Sequence, residues 1–203
     1  MARVNIVKRA QQDYPEQGIK KGDTYYWWKF RSGGMHRSKT MPRGSQLTQS
    51  EYTGGVLSAQ ETVEDMKPES YEHVDDFKSD VESIQGDLES LKSDIEDKLN
   101  NMPEGLQQGD TGQLMQERID NLDTLISEFD SLDLNEPDED DVTEALKKDD
   151  DPVESKVDPA VVEGAGKQDT DPIAMKREAA RLKLVHDRIE VAHEEILGFS
   201  WEA

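Results

Sequence analysis

The sequence predicts a mainly α protein that opens with a small β-hairpin or three-stranded sheet and continues as an elongated helical hairpin or coiled coil. Three observations point there. Val74, Phe77, Val81, Ile84, Leu88, Leu91 and Ile95 recur at alternating spacings of three and four, which lays one apolar stripe along a helix and requires a partner for it. Apolar residues make up 33% and charged residues 34%, with a net charge of -22. That balance cannot fill one large globular core, but it suits helical seams that bury about two residues in seven. Finally, an aromatic run, Tyr25-Tyr26-Trp27-Trp28-Lys29-Phe30-Arg31, stands just before Gly33-Gly34, in the manner of a strand entering a tight turn.

Residues 1–45 form the basic β-hairpin module. Residues 2–7 alternate well enough for a short strand, and residues 14–23 carry Pro, Gly and Asp in the pattern of loop and turn. A hairpin is expected from about Thr24 to Thr40, completed to three strands by residues 2–7. Alternation places Tyr26, Trp28 and Phe30 on one face, which reads as core. Tyr25, Trp27, Lys29 and Arg31 fall on the other, which reads as surface.

Residues 46–132 form the helical hairpin or coil. Thr48 with Glu51 has the form of a capping box, so a helix is expected from near Gln49, weakened at Gly54-Gly55 and interrupted at Pro68. The seam then runs to Leu99 without a break. Its a and d positions do not select an oligomer: a parallel dimer would set Asp87 against Lys92 but His73 against Lys78. After a turn-rich connection, Met115, Ile119, Leu122, Ile126 and Phe129 repeat the spacing, which favours an antiparallel hairpin. The second arm is the shorter, so the far end of the first awaits a third helix or a second copy of the chain.

Residues 133–172 hold fifteen acids, four lysines and four of the eight prolines, the composition of an acidic, disordered linker with at most a turn of helix around Val142 to Lys148. Its Asp-rich runs lack the alternate acids, central Gly and closing Glu of a calcium loop. Residues 173–203 form a C-terminal amphipathic helix that opens at Asp171-Pro172 and carries Leu182, Val185, Ile189, Ala192, Ile196 and Phe199 at helical spacing. Trp201 beyond it serves as a packing anchor or a partner-binding tip.

Charge divides the chain. Residues 1–50 carry ten Lys and Arg against three Asp and Glu, a balance of +7, which leaves -29 on residues 51–203. A basic head can meet phosphate, whereas the acidic body would be repelled from nucleic acid and anionic membranes. Tyr25, Trp27, Lys29, Arg31, Arg37 and Lys39 have the composition that stacks on bases and pairs with phosphates, and they are the candidate nucleic-acid or partner contacts. The opposing reading is that Lys and Arg stems simply cover Trp on a solvated face.

The segment from Tyr25 to Arg31, its glycine turn, Arg37-Ser38-Lys39-Thr40 and the following Ser45-Gln46-Leu47-Thr48-Gln49-Ser50-Glu51 together resemble known phage sequences. They are similar to the short N-terminal sheet of arm-type DNA-binding domains in phage tyrosine recombinases, and to the opening of bacteriophage proteins that join such a segment to a predicted coil. The resemblance covers about residues 1–51. It implies phage origin and DNA contact but no reaction, because no Arg, His and Tyr cutting constellation follows.

No catalytic, cofactor or metal signature is found. There is no cysteine, which excludes disulfides and thiolate metal sites. His186 and His193 share a helix face without acidic partners on the same turn, and no phosphate-binding glycine loop or nucleophile elbow occurs. The exposed carboxylates have no reason to shift their pKa for acid or base work. No apolar run reaches the roughly 20 residues of a membrane span, nor does residue 1 open a signal peptide. The expectation is a non-enzymatic accessory protein of phage type, without cofactor, in the host cytoplasm or the virion. Its head would contact nucleic acid or a phage or host protein, and its coil would mediate assembly into a homo-oligomer. The alternatives are a virion structural or scaffolding protein and an acidic DNA mimic that inhibits a host enzyme.

Overall fold

In a computed structural model of the chain, residues 1–148 and 172–202 are described. The fold is mainly helical with a small N-terminal antiparallel sheet. The sheet holds β1 (Asn5–Val7), β2 (Tyr25–Lys29) and β3 (Met35–Ser38) in the order β1-β2-β3. The helices are α1 (Glu51–Asp65), α2 (Val74–Asn100), the single-turn α3 (Glu104–Gln107), α4 (Asp110–Asp130), α5 (Glu139–Lys148) and α6 (Pro172–Leu197). Among the described residues, no helix is long and apolar enough to cross a membrane. Two compact units are present: one comprises Met1–Met66, Val81–Leu132 and Glu195–Ala203, the other Lys67–Asp80 and Asp133–Glu194.

In the first unit, helix α2 lies antiparallel to α4. Gln85 donates to Asp130 at 2.8 Å, and two turns further along α2 Lys92 pairs with Asp123, two turns back along α4. The seam residues Val81, Ile84, Leu88, Leu91 and Ile95 are all buried, as are Ile119, Leu122 and Phe129 of the facing stripe. Ile126 is only half-buried, and Leu125 takes its place in the core. The reason is that α4 serves more than one neighbour: Arg118 sits 4.9 Å from the centroid of the Tyr52 ring of α1, and Phe129 receives the edges of Phe199 and Trp201 at 5.2 and 6.0 Å. A helix covered on two sides needs a wider stripe than a two-stranded seam.

Helix α1 begins one cap later than the capping-box pattern implies. Ser50, not Thr48, accepts from the Thr53 N–H, at 3.2 Å. Gly55 does not weaken α1 idly: a Cβ there would stand 2.6 Å from Leu91 Cδ2, so glycine lets α1 approach α2. Lys98 of α2 pairs with Glu51 at the start of α1. The C-terminal residues close the unit, with Tyr52 Oη donating to the Glu202 carbonyl at 2.7 Å and Trp201 Nε1 to that of Ile196 at 3.1 Å. Trp201 is thus a packing anchor.

The sheet is tied to α1 through the segment after β3. Arg43 donates to Asp65 at 2.7 Å, Ser45 Oγ donates to Glu61 at 2.6 Å, and the Ala2 N–H reaches the Leu47 carbonyl at 2.7 Å. The Arg43 guanidinium holds the Asp65 carboxyl below the usual carboxylate range.

In the second unit, Val74 and Phe77 of the first α2 turns are fully buried, and the Tyr71 ring meets Phe77 edge-on at 5.2 Å. Burial, with the hydrogen bond to Asp80, pushes the Tyr71 hydroxyl up to about 12. Glu136 accepts from the Val74 N–H at 2.8 Å, a negative charge where the first turn of a helix has unpaired donors. Helix α6 belongs to this unit as far as Glu194 and meets the segment before α2 and the start of α5. His186 Nε2 lies 3.2 Å from the Tyr71 carbonyl oxygen, Arg188 reaches the Asn135 carbonyl, and Val185, Ile189 and Ala192 are buried. Of the third helix or second copy awaited at this end of the seam, the chain itself brings a helix, α6, into the same unit as the first turns of α2. Leu182 departs from the predicted stripe and is 39% exposed, because at this end of α6 Arg177 and Arg181 dock on Glu139 and Glu136 instead.

Of the acidic linker expected over residues 133–172, residues 149–171 lie outside the described residues, as does the Asp171 cap of α6. Where one turn was expected near Val142, α5 has ten residues, with Asp138 accepting from the Asp140 and Asp141 N–H groups at 2.9 Å and Val142 buried.

Two outcomes follow from these contacts. A Cβ on buried Gly112 would stand 1.9 Å from the Gln107 carbonyl oxygen, so Gly112→Ala should destabilise the protein by about 1–3 kcal/mol despite its better helix propensity, measured by denaturant unfolding. Asp65 should titrate below a free aspartate, and its ion pair therefore contributes stability above the unfolded pKa that is lost as pH falls through the folded one. In Arg43→Gln, NMR titration should return the Asp65 pKa toward its ordinary value.

Candidate nucleic-acid interface

The register fixes which side chains of the sheet share a face. Trp27 pairs with Asn5 on β1 and with Arg37 on β3, Tyr25 pairs with Val7, and Lys29 pairs with Met35. Residues directly opposite one another point the same way, so Tyr25, Trp27, Lys29, Asn5 and Arg37 lie on one face. Tyr26, Trp28, Ile6, Ser38 and His36 lie on the other. Gly33, at φ 145°, takes the turn between β2 and β3 in a conformation that favours glycine.

Neither face is simply core or simply surface. Residues 8–23 fold back over the Tyr25 end of the first face. The Ala10 N–H donates to the Asp23 carbonyl at 2.8 Å and the Tyr14 N–H to that of Ile19 at 2.8 Å, with Gly18 at φ 64° making the turn. This loop brings Ala10 and Ile19 into a small core with Tyr25, against which Val7, Tyr14 and Trp27 pack. Tyr25, expected on an exposed contact face, is 8% exposed. The cause is that residues 14–19 supply an apolar cover that turn composition alone does not advertise. Burial raises the Tyr25 hydroxyl pKa, and the neighbouring Tyr14 hydroxyl adds to the shift. On the other face Trp28 is buried and stacks on His36, ring centroids 5.4 Å apart and planes 15° apart, while Phe30 meets His36 edge-on at 5.3 Å.

The remaining candidates divide by how they are held. Lys29 and Arg31 are exposed and join no ion pair among the described residues. Lys39 is exposed but bridges Asp23 at 3.4 Å, and Asp23 is held below the usual carboxylate range by the Lys20 backbone N–H, with Lys39 beside it. Trp27 is half-buried, and Arg37 is half-buried over the Tyr14 ring. Arg3, Lys8, Arg9, Lys20 and Lys21 were not among the candidates singled out by sequence, yet all five are exposed and free of ion pairs among the described residues. Extending the β1–β2 register places Arg3 opposite Lys29. Their signal was the summed charge of the segment, which says nothing about position.

The arrangement is a small sheet whose aromatics are spent on packing and whose cations stand at the surface. Its open end, at Lys29, Arg31 and Arg3, is flanked by half-buried Trp27 and exposed Met35. Such a surface can neutralise phosphates, and for stacking it offers the half-buried indole of Trp27. Among the described residues no three His, Asp or Glu side chains converge as a metal site needs. No known family model, curated protein or solved structure matches the chain.

Because Tyr25 is a core residue, Tyr25→Ala should cost about 3 kcal/mol or more, the range of buried aromatic truncations, whereas Tyr25→Phe, which keeps the packed ring, should cost far less. Thermal unfolding of the two variants checks both outcomes.

Proposed function

We propose that the chain is a non-enzymatic accessory protein of phage type whose N-terminal sheet contacts nucleic acid through phosphates, held on acidic helices that set its spacing and orientation. The observation that supports this reading is the set of seven exposed cations, Arg3, Lys8, Arg9, Lys20, Lys21, Lys29 and Arg31, none of which closes a salt bridge among the described residues. They belong to a chain whose remaining sequence is strongly negative. In a protein with so many carboxylates, cations left unpaired on one small module favour an anion from outside. Because Tyr25 is engaged in packing and Trp27 is half-buried, affinity arises chiefly from counterion release and carries little sequence preference. The acidic helices repel the same polyanion, which confines contact to the sheet and fixes how the body projects from it.

Binding of the full chain to single-stranded and duplex DNA as salt is varied tests this reading. Affinity should fall steeply with salt, and Lys29→Ala with Arg31→Ala should reduce the slope of log K against log salt by about 1.4 on single strands or about 1.8 on duplex. Binding that is absent at low salt, or that ignores salt, would overturn it.

A further inference from the structure

Arg37 is held differently from the other cations of the sheet. It stands on β3 directly opposite Trp27, its guanidinium carbon 4.3 Å from the centroid of the Tyr14 ring and beside the Tyr25 hydroxyl. The two tyrosine rings are themselves in contact, with centroids 5.6 Å apart. Arg37 is half-buried, its Nε is sealed from solvent without a hydrogen-bond acceptor, and no carboxylate pairs with it among the described residues. The nearby Asp23 is taken by Lys39. A guanidinium partly withdrawn from water needs a counter-charge, and the face of a tyrosine ring supplies only part of one.

We infer that Arg37 is a pre-oriented phosphate-holding arginine, its plane fixed by Tyr14 and Tyr25 so that an incoming phosphate completes its charge. The inference rests on the nucleic-acid reading and gives it a centre. The exposed lysines and arginines supply a diffuse field, whereas Arg37 supplies a fixed fork whose side-chain entropy is already lost before the ligand arrives. Phosphate suits the site better than a single carboxylate because Lys29 stands on the same face, diagonal to Arg37 across the strand pair. A phosphodiester chain presents anions in series to both.

The test uses the full chain, with inorganic phosphate and a short oligothymidylate as probes. Because the Arg37 Nε is sealed from solvent, its N–H should give a slowly exchanging NMR signal, assigned by its loss in Arg37→Lys. Both probes should shift that signal. Arg37→Lys keeps the charge but loses the fork, and oligothymidylate affinity should fall roughly tenfold, the loss of one charge-assisted hydrogen bond. Tyr14→Leu should weaken binding in the same direction with Arg37 intact, while Lys29→Arg should leave affinity nearly unchanged. If Arg37→Lys lowers only the melting temperature and both affinities hold, Arg37 is a packing residue and the inference fails. An Arg37 signal unmoved by phosphate overturns it whether or not the oligonucleotide binds through other cations, and a signal moved by polyglutamate alone overturns it in favour of an acidic protein partner. Should phosphate shift the signal while no nucleic acid binds, the phosphate site stands and the nucleic-acid reading falls.

Discussion

The constraint on which the helical body depends is the apolar stripe of α2. Every member from Val74 to Ile95 is nine-tenths or more buried, and a stripe of that length cannot be covered by one shorter partner. In the first unit α4 and α1 share the task, with Leu91 received where Gly55 omits a side chain. In the second, the first two turns are shielded by Tyr71 and supported by Glu136 at the helix start. A chain with only 33% apolar residues can meet this demand because each neighbour contributes a narrow stripe and leaves its remaining faces charged. The carboxylates that dominate those faces then act through solvent, where each pair interaction is weak.

The α2 stripe was fully legible in the sequence because a helix with a single buried face has one period and no competing signal. Helix α4 was legible in kind but not in detail. Its stripe can be read through Ile126 or through Leu125, and the choice is made by α1 and the C-terminal aromatics, which no local pattern reveals. The same limit affected α6, where Leu182 fits the period yet the local docking is ionic. The sheet shows the converse case. Strand positions and the glycine turn followed from residue type, but the side on which the core lies depended on residues 8–23 folding back. That fold is set by the Tyr14–Ile19 bridge and the Ala10–Asp23 hydrogen bond, neither of which leaves a periodic trace.

Of the candidate contacts, those read from charge proved to be at the surface and those read from aromaticity were mostly internal. A small sheet has too little area to bury a core and also display its rings, so the aromatics that make Tyr25 to Phe30 conspicuous are largely needed to hold it together. Arg37 and Trp27 stand at the boundary between these uses. Each is half-buried and each packs near the Tyr14 and Tyr25 rings, with part of its surface left to solvent.

The hydrogen bond between Tyr52 and the Glu202 carbonyl joins residues 150 positions apart. Lengthening a loop adds only about 0.6 kcal/mol of closure cost per doubling, so the bond is thermodynamically affordable, but contacts of such separation form slowly. The helical hairpin, with its short connection, is the local contact and the aromatic closure over Phe129 the distant one, so the C-terminal residues should dock onto a hairpin that has already formed.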